Sequence, residues 1–332
     1  MERTETMSDF KYSFIAGTMG QLGDRYLRTG YKYQVLSPVE VMDRMASYGV
    51  VDGVELHCRG TETEGDLQAL AEALARNKLG VSCVNAWLYG QIKWSRGSVT
   101  ASDMVTRKEA IYAVMASIDY ARRLKTNCVS LWMGQDGFDY AFQTDYSAQW
   151  GYMIEALRLF ADYAPDMKIA IEPKPGEPRN RLLVDTVSTA LLMCMEANRS
   201  NLGLTVDIGH TMYAGQSMAQ ALSISTRYNR LFNVHVNDNY SRWDDDMVVG
   251  SVHFLELVEA VYVLKKYNYK EFVSVDIFPY REEQFEAVAE SVKYIQAYDR
   301  LIDRIGMEKL EELINRESAT GMLRVFREAL FS

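Results

Sequence analysis

This 332-residue chain lacks basic excess: 36 Lys and Arg stand against 45 Asp and Glu, a formal net charge of −9. Nucleic-acid backbones and anionic membranes both reward basic surfaces, so neither is expected as a partner. Cysteine is scarce as well. Cys58, Cys83, Cys128 and Cys194 show no CxxC spacing. That excludes a disulfide framework or a zinc knuckle and reads as small core residues of a reducing, cytoplasmic compartment. No stretch approaches the ~18 apolar residues of a membrane helix. The polar start MERTETMSDFKYSF has no apolar segment of the kind a secretory signal carries. No GxGxxG follows the first apolar run, so a dinucleotide site of that type has no support. No Pro- or Gly-rich linker divides the chain.

The composition is 48% hydrophobic, 24% charged and 11% aromatic, which rules out a disordered chain. β-rich apolar runs lie at 12–17, 53–58, 81–87, 128–133, 167–173, 202–208, 231–236 and 272–278. Helix-period segments alternate with them at 37–48, 65–77, 102–124, 148–163, 187–197, 218–228, 254–267 and 281–305. Ser37 and Pro38 give the first helix an N-cap and a first-turn residue, and Ser102-Asp103 opens another. Eight strand–helix units predict an α/β fold, a single-domain (β/α)8 TIM barrel over residues 10–305. A helical tail at 306–332 is suited to oligomer contacts, and a homo-oligomer is expected. The connections 18–36, 88–101 and 237–252 are long, and in this fold the loops that follow strands build the active face.

Chemistry-bearing residues gather at those strand ends. His57, His210 and His235 fall at or just beyond predicted strands, whereas His253 begins a helix and reads as structural. One such histidine is commonly an ordinary satisfied polar group; three on one inferred face are less easily so. Glu172, Asp207 and Asp276 each interrupt an apolar run. An unpaired buried ion costs several kcal/mol, and Lys174 is the one lysine among these strand ends. A divalent cation would neutralise the group most economically; ion pairs to Arg179, Arg242 and Arg281 are the alternative. In an extended SRWDDDMVVG loop Asp244 and Asp246 point the same way and could chelate one ion, although such a run alone reads as a solvated acidic loop. Asp207 and His210, across a strand end and a turn, can face one ion. Mixed sets suit Mn2+, Co2+ or Zn2+ and oxygen-rich sets Mg2+. Two ions sharing a carboxylate could grip a diol and polarise a carbonyl.

These residues resemble a known family. IEPKPGEPRN is similar to the Glu-Pro-Lys-Pro segment of xylose isomerases, VDIGHTMYAGQ to their carboxylate-x-x-His segment, and RWDDDMVVG to their paired-aspartate loop. VSLWMGQDG and YSFIAGTMG resemble two further strand ends, and the matches run in family order over about residues 10–300. The resemblance implies a TIM-barrel aldose–ketose isomerase that acts on a free monosaccharide by a metal-assisted hydride shift. It implies two divalent metal ions (Mn2+, Mg2+, Co2+ or Zn2+). Glu172, Asp207, His235 and Asp276 would hold one; Asp207, His210, Asp244 and Asp246 would hold the other, with Asp207 bridging. His57 would help open the sugar ring, Lys174 would stabilise the carbonyl oxygen, Asp246 would stand where the hydroxyl proton moves, and Trp132 would line the sugar's apolar face. His235 and Asp207 depart from xylose isomerases in the direction of L-rhamnose isomerases. Gly17 replaces a tryptophan and is expected to widen one wall. Gly60 falls where the aspartate that orients the histidine is expected, so Glu55 is the candidate to take over that role beside the sugar. Phe278 stands in place of a lysine and is expected, with Trp132 and Glu55, to contact the substrate. A single-metal sugar epimerase working by carboxylate proton transfer, and a catalytically silent sugar-binding homologue, are the alternatives.

Overall fold

The computed structural model describes residues 9–20, 22–23, 26–32, 35–177 and 180–331. Arg179 and the start of the chain, residues 1–8, lie outside the described residues. The strands are β1 (Lys11–Phe14), β2 (Gly53–Cys58), β3 (Gly80–Ala86), β4 (Cys128–Leu131), β5 (Gly137–Phe138), β6 (Lys168–Ile171), β7 (Gly176–Glu177), β8 (Asn180–Leu182), β9 (Leu202–Asp207), β10 (Leu231–Val236) and β11 (Phe272–Val275). Eight of them form one parallel sheet in the order β1-β11-β10-β9-β6-β4-β3-β2. The sheet curls until its ends meet. Asp52 donates its backbone N–H to the Tyr12 carbonyl at 2.7 Å, Tyr12 N–H donates to Asp52 Oδ2 at 2.9 Å, and a parallel bridge joins Ile15 to Glu55. This is the expected TIM barrel.

Helices α1 (Pro38–Ala46), α2 (Glu64–Asn77), α3 (Met104–Arg123), α4 (Tyr146–Tyr163) and α5 (Val187–Ala197) follow successive barrel strands. Their starts are written in the sequence. Ser37 with Glu40 and Thr63 with Asp66 make full capping boxes, and Asp103 and Asp145 accept from backbone N–H groups three residues on. Next come α6 (Ile208–Tyr213), α7 (Met218–Arg227), α8 (Leu255–Lys266) and α9 (Gln284–Ile305). The tail is two helices, α10 (Met307–Asn315) and α11 (Ala319–Phe331).

Two expectations about extent are corrected. The first run, read as strand through residue 17, leaves the sheet at Ile15 and turns into a short 3-10 helix, Ala16–Thr18. The stretch after Asp207, read as a strand end and a turn, is α6, with Asp207 itself as N-cap. The small antiparallel sheet of β5, β8 and β7 was not foreseen, because strands of two or three residues leave no periodicity to detect.

The pleat sorts the barrel side chains into two classes. Val54, Leu56, Val84, Val129, Leu131, Ile169, Ile171, Leu204, Val206, Val234, Val236, Val273 and Val275 join the helices in the main hydrophobic core. The other parity points inward. Its lower layer is a small apolar plug of Cys83, Cys128 and Ala170, backed by Phe232. Above it lie buried polar residues: Ser13, Glu55, Ser130, Thr205, Asn233 and Ser274. Two residues further along β2, β9, β10 and β11 stand His57, Asp207, His235 and Asp276, and Asn85 on β3 is level with His57. The strand ends thus carry the candidate chemistry to one face of the barrel.

Candidate active site

The mouth of the barrel opens into a cavity of about 540 Å3. Glu172, Asp276, His235, His210, Asp244, Asp246, Lys174 and His57 line it, along with Trp87, Tyr89, Trp132, Trp243 and Phe278. Asp207 is buried at its base, where His210 N–H (2.8 Å) and Asn237 Nδ2 (3.0 Å) donate to its carboxylate. Asn237 is the residue immediately after β10, and sequence reasoning missed it. Its position past the end of a barrel strand was the available signal.

Two ligand clusters share Asp207. One oxygen or nitrogen each from Glu172, Asp207, His235 and Asp276 lies within 4.8 Å of the others, and the same holds for Asp207, His210 and Asp244. The arrangement suits divalent ions. Asp244 Oδ1 and Asp276 Oδ1 are buried with no hydrogen-bond partner, and carboxylate oxygens combined with imidazole nitrogens are the donor set of such ions. Each histidine is oriented from behind. His210 Nδ1 lies 3.1 Å from the Pro173 carbonyl oxygen, so its Nε2 faces Asp244 Oδ2 at 3.2 Å. His235 Nε2 lies against Glu55, so its Nδ1 faces Glu172 Oε1 at 3.1 Å and Asp276 Oδ2 at 3.4 Å. A ligating histidine steadied by a carboxylate or carbonyl on its other nitrogen is the usual pattern at metal sites.

Charge crowding is visible in the titration of the metal-free groups. Burial pushes the Asp207 carboxyl up to about 6, with His210 opposing. Burial alone would lower His210, but Asp207 and Asp244 bring it up to about 9. His235 is likewise raised well above the usual imidazole value, burial being outweighed by Glu55 and Glu172. Lys174 would be lowered by burial, yet Asp244 and Glu177 raise it, so its ammonium stays charged. Protons on these histidines stand in for the positive charge an ion would bring.

Asp246 departs from the expected placement. Its backbone is left-handed at φ 47°, so the alternation of an extended segment does not carry through the DDD run. The second cluster comprises Asp207, His210 and Asp244, with Asp246 beside it in the cavity wall. Burial, Asp244 and Asp276 raise the Asp246 carboxyl well above the usual range.

Three further expectations change. Glu55 is fully buried below the cavity and does not line it. Its oxygens accept from Asn85 (2.9 Å), Asn233 (2.8 Å) and Ser274 (2.6 Å) and face His235, not His57. The space above Gly17 is not an enlarged wall: a Cβ there would lie 2.5 Å from His57 Nδ1, so the histidine ring itself fills it. The partner of His57 is Tyr89, whose Oη is 2.9 Å from Nε2. Tyr89 sits past the end of β3, where a loop residue gives no sequence signal of its own. Lys174 pairs with Asp244 (2.7 Å) and with Glu177, and lies 5.1 Å from the centre of the Trp132 ring. Of the arginines in the alternative pairing, Arg179 lies outside the described residues, Arg281 lies 4.2 Å from the centre of the Tyr31 ring, and Arg242 is exposed. His253 pairs with Asp238 (2.8 Å), as expected of a structural residue.

A family model described as xylose isomerase-like TIM barrel matches residues 42–298, most of the barrel. The chain belongs to that family. A curated relative, the xylose isomerase of Thermus thermophilus, is 27% identical over 298 residues, covering 86% of this chain and 76% of the relative. Among solved structures, a D-tagatose 3-epimerase-like protein superposes with a TM-score of 0.72 at 18% identity, over 89% of this chain and 99% of that one. A D-psicose 3-epimerase, solved in the presence of D-fructose, gives 0.64 at 14% identity, over 88% and 96%. These two likenesses establish a shared barrel fold and no more. Among the described residues, no helix is long and apolar enough to cross a membrane.

Proposed function

We propose that this chain is a metal-dependent aldose–ketose isomerase acting on a free, neutral monosaccharide. The observation that carries the reading is the second cluster, Asp207, His210 and Asp244, sharing Asp207 with the first and lying against Lys174. A one-ion enzyme has no need of it. Divalent ions held by these two sets would supply Lewis-acid polarisation of neighbouring sugar oxygens.

The remaining work falls to the chain's own groups. Lys174 Nζ, held charged by Asp244 and Glu177, stands ready to stabilise charge on a sugar oxygen. Trp132, Trp87 and Phe278 form apolar walls that shield the reacting carbons from water. Asp246, which lines the cavity and belongs to neither cluster, would hold a hydroxyl proton. An enediol route needs a base free to reach a C–H proton. Glu172, Asp207 and Asp276 belong to the clusters, and Glu55 is buried in hydrogen bonds below them. With Asp246 engaged at the hydroxyl proton and Glu177 paired with Lys174, a hydride shift between adjacent carbons fits that inventory. Lys174 is the one permanently cationic side chain among the described lining residues, and it is already paired, which favours a neutral sugar over a phosphosugar. Four buried free cysteines accord with a cytoplasmic setting. Exposed Leu323, Leu330 and Phe331 on α11 accord with a homo-oligomer.

The test is a screen of pentoses and 6-deoxyhexoses with Mg2+, Mn2+ or Co2+, followed by turnover of the best substrate in D2O. Ketose with little carbon-bound deuterium supports the proposal. An epimerase reading is favoured by one feature, the approach of Glu172 and Asp276 to the same His235 nitrogen, which sets two carboxylates together for proton transfer. Near-stoichiometric deuterium on an inverted carbon would establish that reading instead.

A further inference from the structure

His57 offers the cavity neither of its nitrogens. Nδ1 is buried without a partner, in the space that Gly17 leaves by having no side chain. Nε2 is spent on Tyr89 Oη at 2.9 Å. The tautomer follows from what each side can tolerate. A buried N–H with nothing to donate to is rarer than an under-used acceptor. The proton therefore belongs on Nε2, which donates to Tyr89 Oη, and the bare lone pair of Nδ1 faces Gly17. Burial holds the ring neutral, bringing it down to about 4.

Tyr89 is then left with a hydroxyl hydrogen to give. The residue is half-buried and lines the cavity. It is fixed on three sides: by His57, by stacking on Trp87 at 4.8 Å between ring centres, and by an edge contact with Trp132 at 4.5 Å. Trp132 in turn lies under the Lys174 ammonium. This hydroxyl is thus the rigid donor on the His57 side of the cavity.

We propose that Tyr89 is the catalytic residue for opening the sugar ring, and that His57 is its positioning residue. The inference rests on the reading of the site as one for a cyclic monosaccharide. In the step, the bond between the anomeric carbon and the ring oxygen breaks, and the ring oxygen takes the proton of Tyr89 Oη. His57 Nε2–H donates to Oη throughout. Burial, with Asp276 and Glu172 nearby, raises the Tyr89 hydroxyl above its ordinary value and so favours a concerted proton relay over a free phenolate. The anomeric hydroxyl gives its proton back to Oη as the carbonyl forms, so the tyrosine ends as it began.

Ring opening can be read apart from isomerisation as protein-accelerated exchange between the α and β anomers, by NMR saturation transfer on the best-bound aldose. Wild-type protein is expected to accelerate exchange, and Tyr89→Phe, which keeps both ring contacts, to lose that acceleration by roughly 100-fold, the scale of general acid catalysis. His57→Gln should lose less and shift the pH profile of exchange, which a purely structural change would not do. In Tyr89→Phe the isomerisation of a pyranose should fall by at least about tenfold more than turnover of glyceraldehyde, which cannot close a ring. Exchange by Tyr89→Phe within about twofold of wild type overturns the proposal, as does a wild-type protein that isomerises a pyranose without accelerating exchange. A protein that exchanges anomers through Tyr89 but isomerises nothing overturns the isomerase reading and supports this inference.

Discussion

Both carboxylate oxygens of Glu55 lie 3.2 Å from His235 Nε2, at the floor of the site and shut off from solvent. Burial alone would push the Glu55 carboxyl up, but His235, Ser274 and Asn233 hold it down at about 2. Glu55 therefore remains an anion and fixes the proton of His235 on Nε2. The Nδ1 side, toward Glu172 and Asp276, is the side left for an ion.

Glu55→Gln should therefore weaken divalent-metal binding by roughly 10–100-fold, the usual cost of losing the group behind a metal-bound histidine. Isothermal titration with Mn2+, alongside unchanged far-ultraviolet circular dichroism, checks it. Undiminished affinity would show that the Glu55–His235 contact serves the barrel core alone.

Asp246→Asn should keep the ion of the first cluster and lose turnover by at least roughly 100-fold, because the amide cannot take the proton. Asp207→Asn should weaken both ions, since Asp207 belongs to both clusters. Metal content after gel filtration and steady-state rates on the same preparations separate the two. Near-normal rates in Asp246→Asn would make the acidic run an ordinary loop.

Gly17→Ala should displace His57. The added carbon would meet Nδ1 at 2.5 Å and the neighbouring ring carbon at 2.6 Å, and overpacking of this kind costs about 1–3 kcal/mol. A lower melting temperature together with a fall in kcat/KM is expected, and larger side chains should be worse. Normal activity in Gly17→Trp would show that the wall does have spare room.

Metal dependence and pH should be linked. In the metal-free protein the Asp207 and His210 values of about 6 and about 9 both exceed the ordinary 3.8 and 6.5. A raised folded-state value adds stability at low pH that disappears as pH climbs through it. The Asp207 contribution is gone above about pH 6, and that of His210 fades toward about pH 9. Protein stripped with EDTA should therefore lose melting temperature between pH 7 and pH 9. With saturating Mg2+ the loss should shrink, because an ion takes over from the departing proton. A constant difference between stripped and loaded protein across this range would exclude proton–metal exchange at His210.

The barrel and most of the ligand clusters were legible because they rest on periodicity and strand ends. The apolar runs gave eight strands, and Glu172, Asp207, His235 and Asp276 each broke or ended one of them. Asp246 was misread because a left-handed residue within a loop cancels the two-residue alternation. Glu55 was assigned to the wrong histidine because strand parity tells which way a side chain points but not which neighbour across the barrel it meets. Tyr89 and Asn237 act through partners far away in sequence; Asn237 is marked only by its place just past β10, and nothing local marks Tyr89. Gly17 was read as empty space, when the absence of its side chain is what admits His57.

The three-stranded sheet of β5, β8 and β7 ties the loop that follows Trp132 to the loop that follows Lys174. Gly137 pairs with Leu182 and Gly176 with Arg181, and a Cβ on Gly137 would fall 1.9 Å from the Arg181 carbonyl oxygen. One wall of the cavity and Lys174 are therefore linked through a single hydrogen-bonded sheet. A change at Phe138 or Arg181 falls on the pairing that joins the two loops, so hydrophobic shape and charge placement are expected to drift together in descendants of this sequence. Relatives selected for a new sugar would acquire both adjustments at once from outside the cavity.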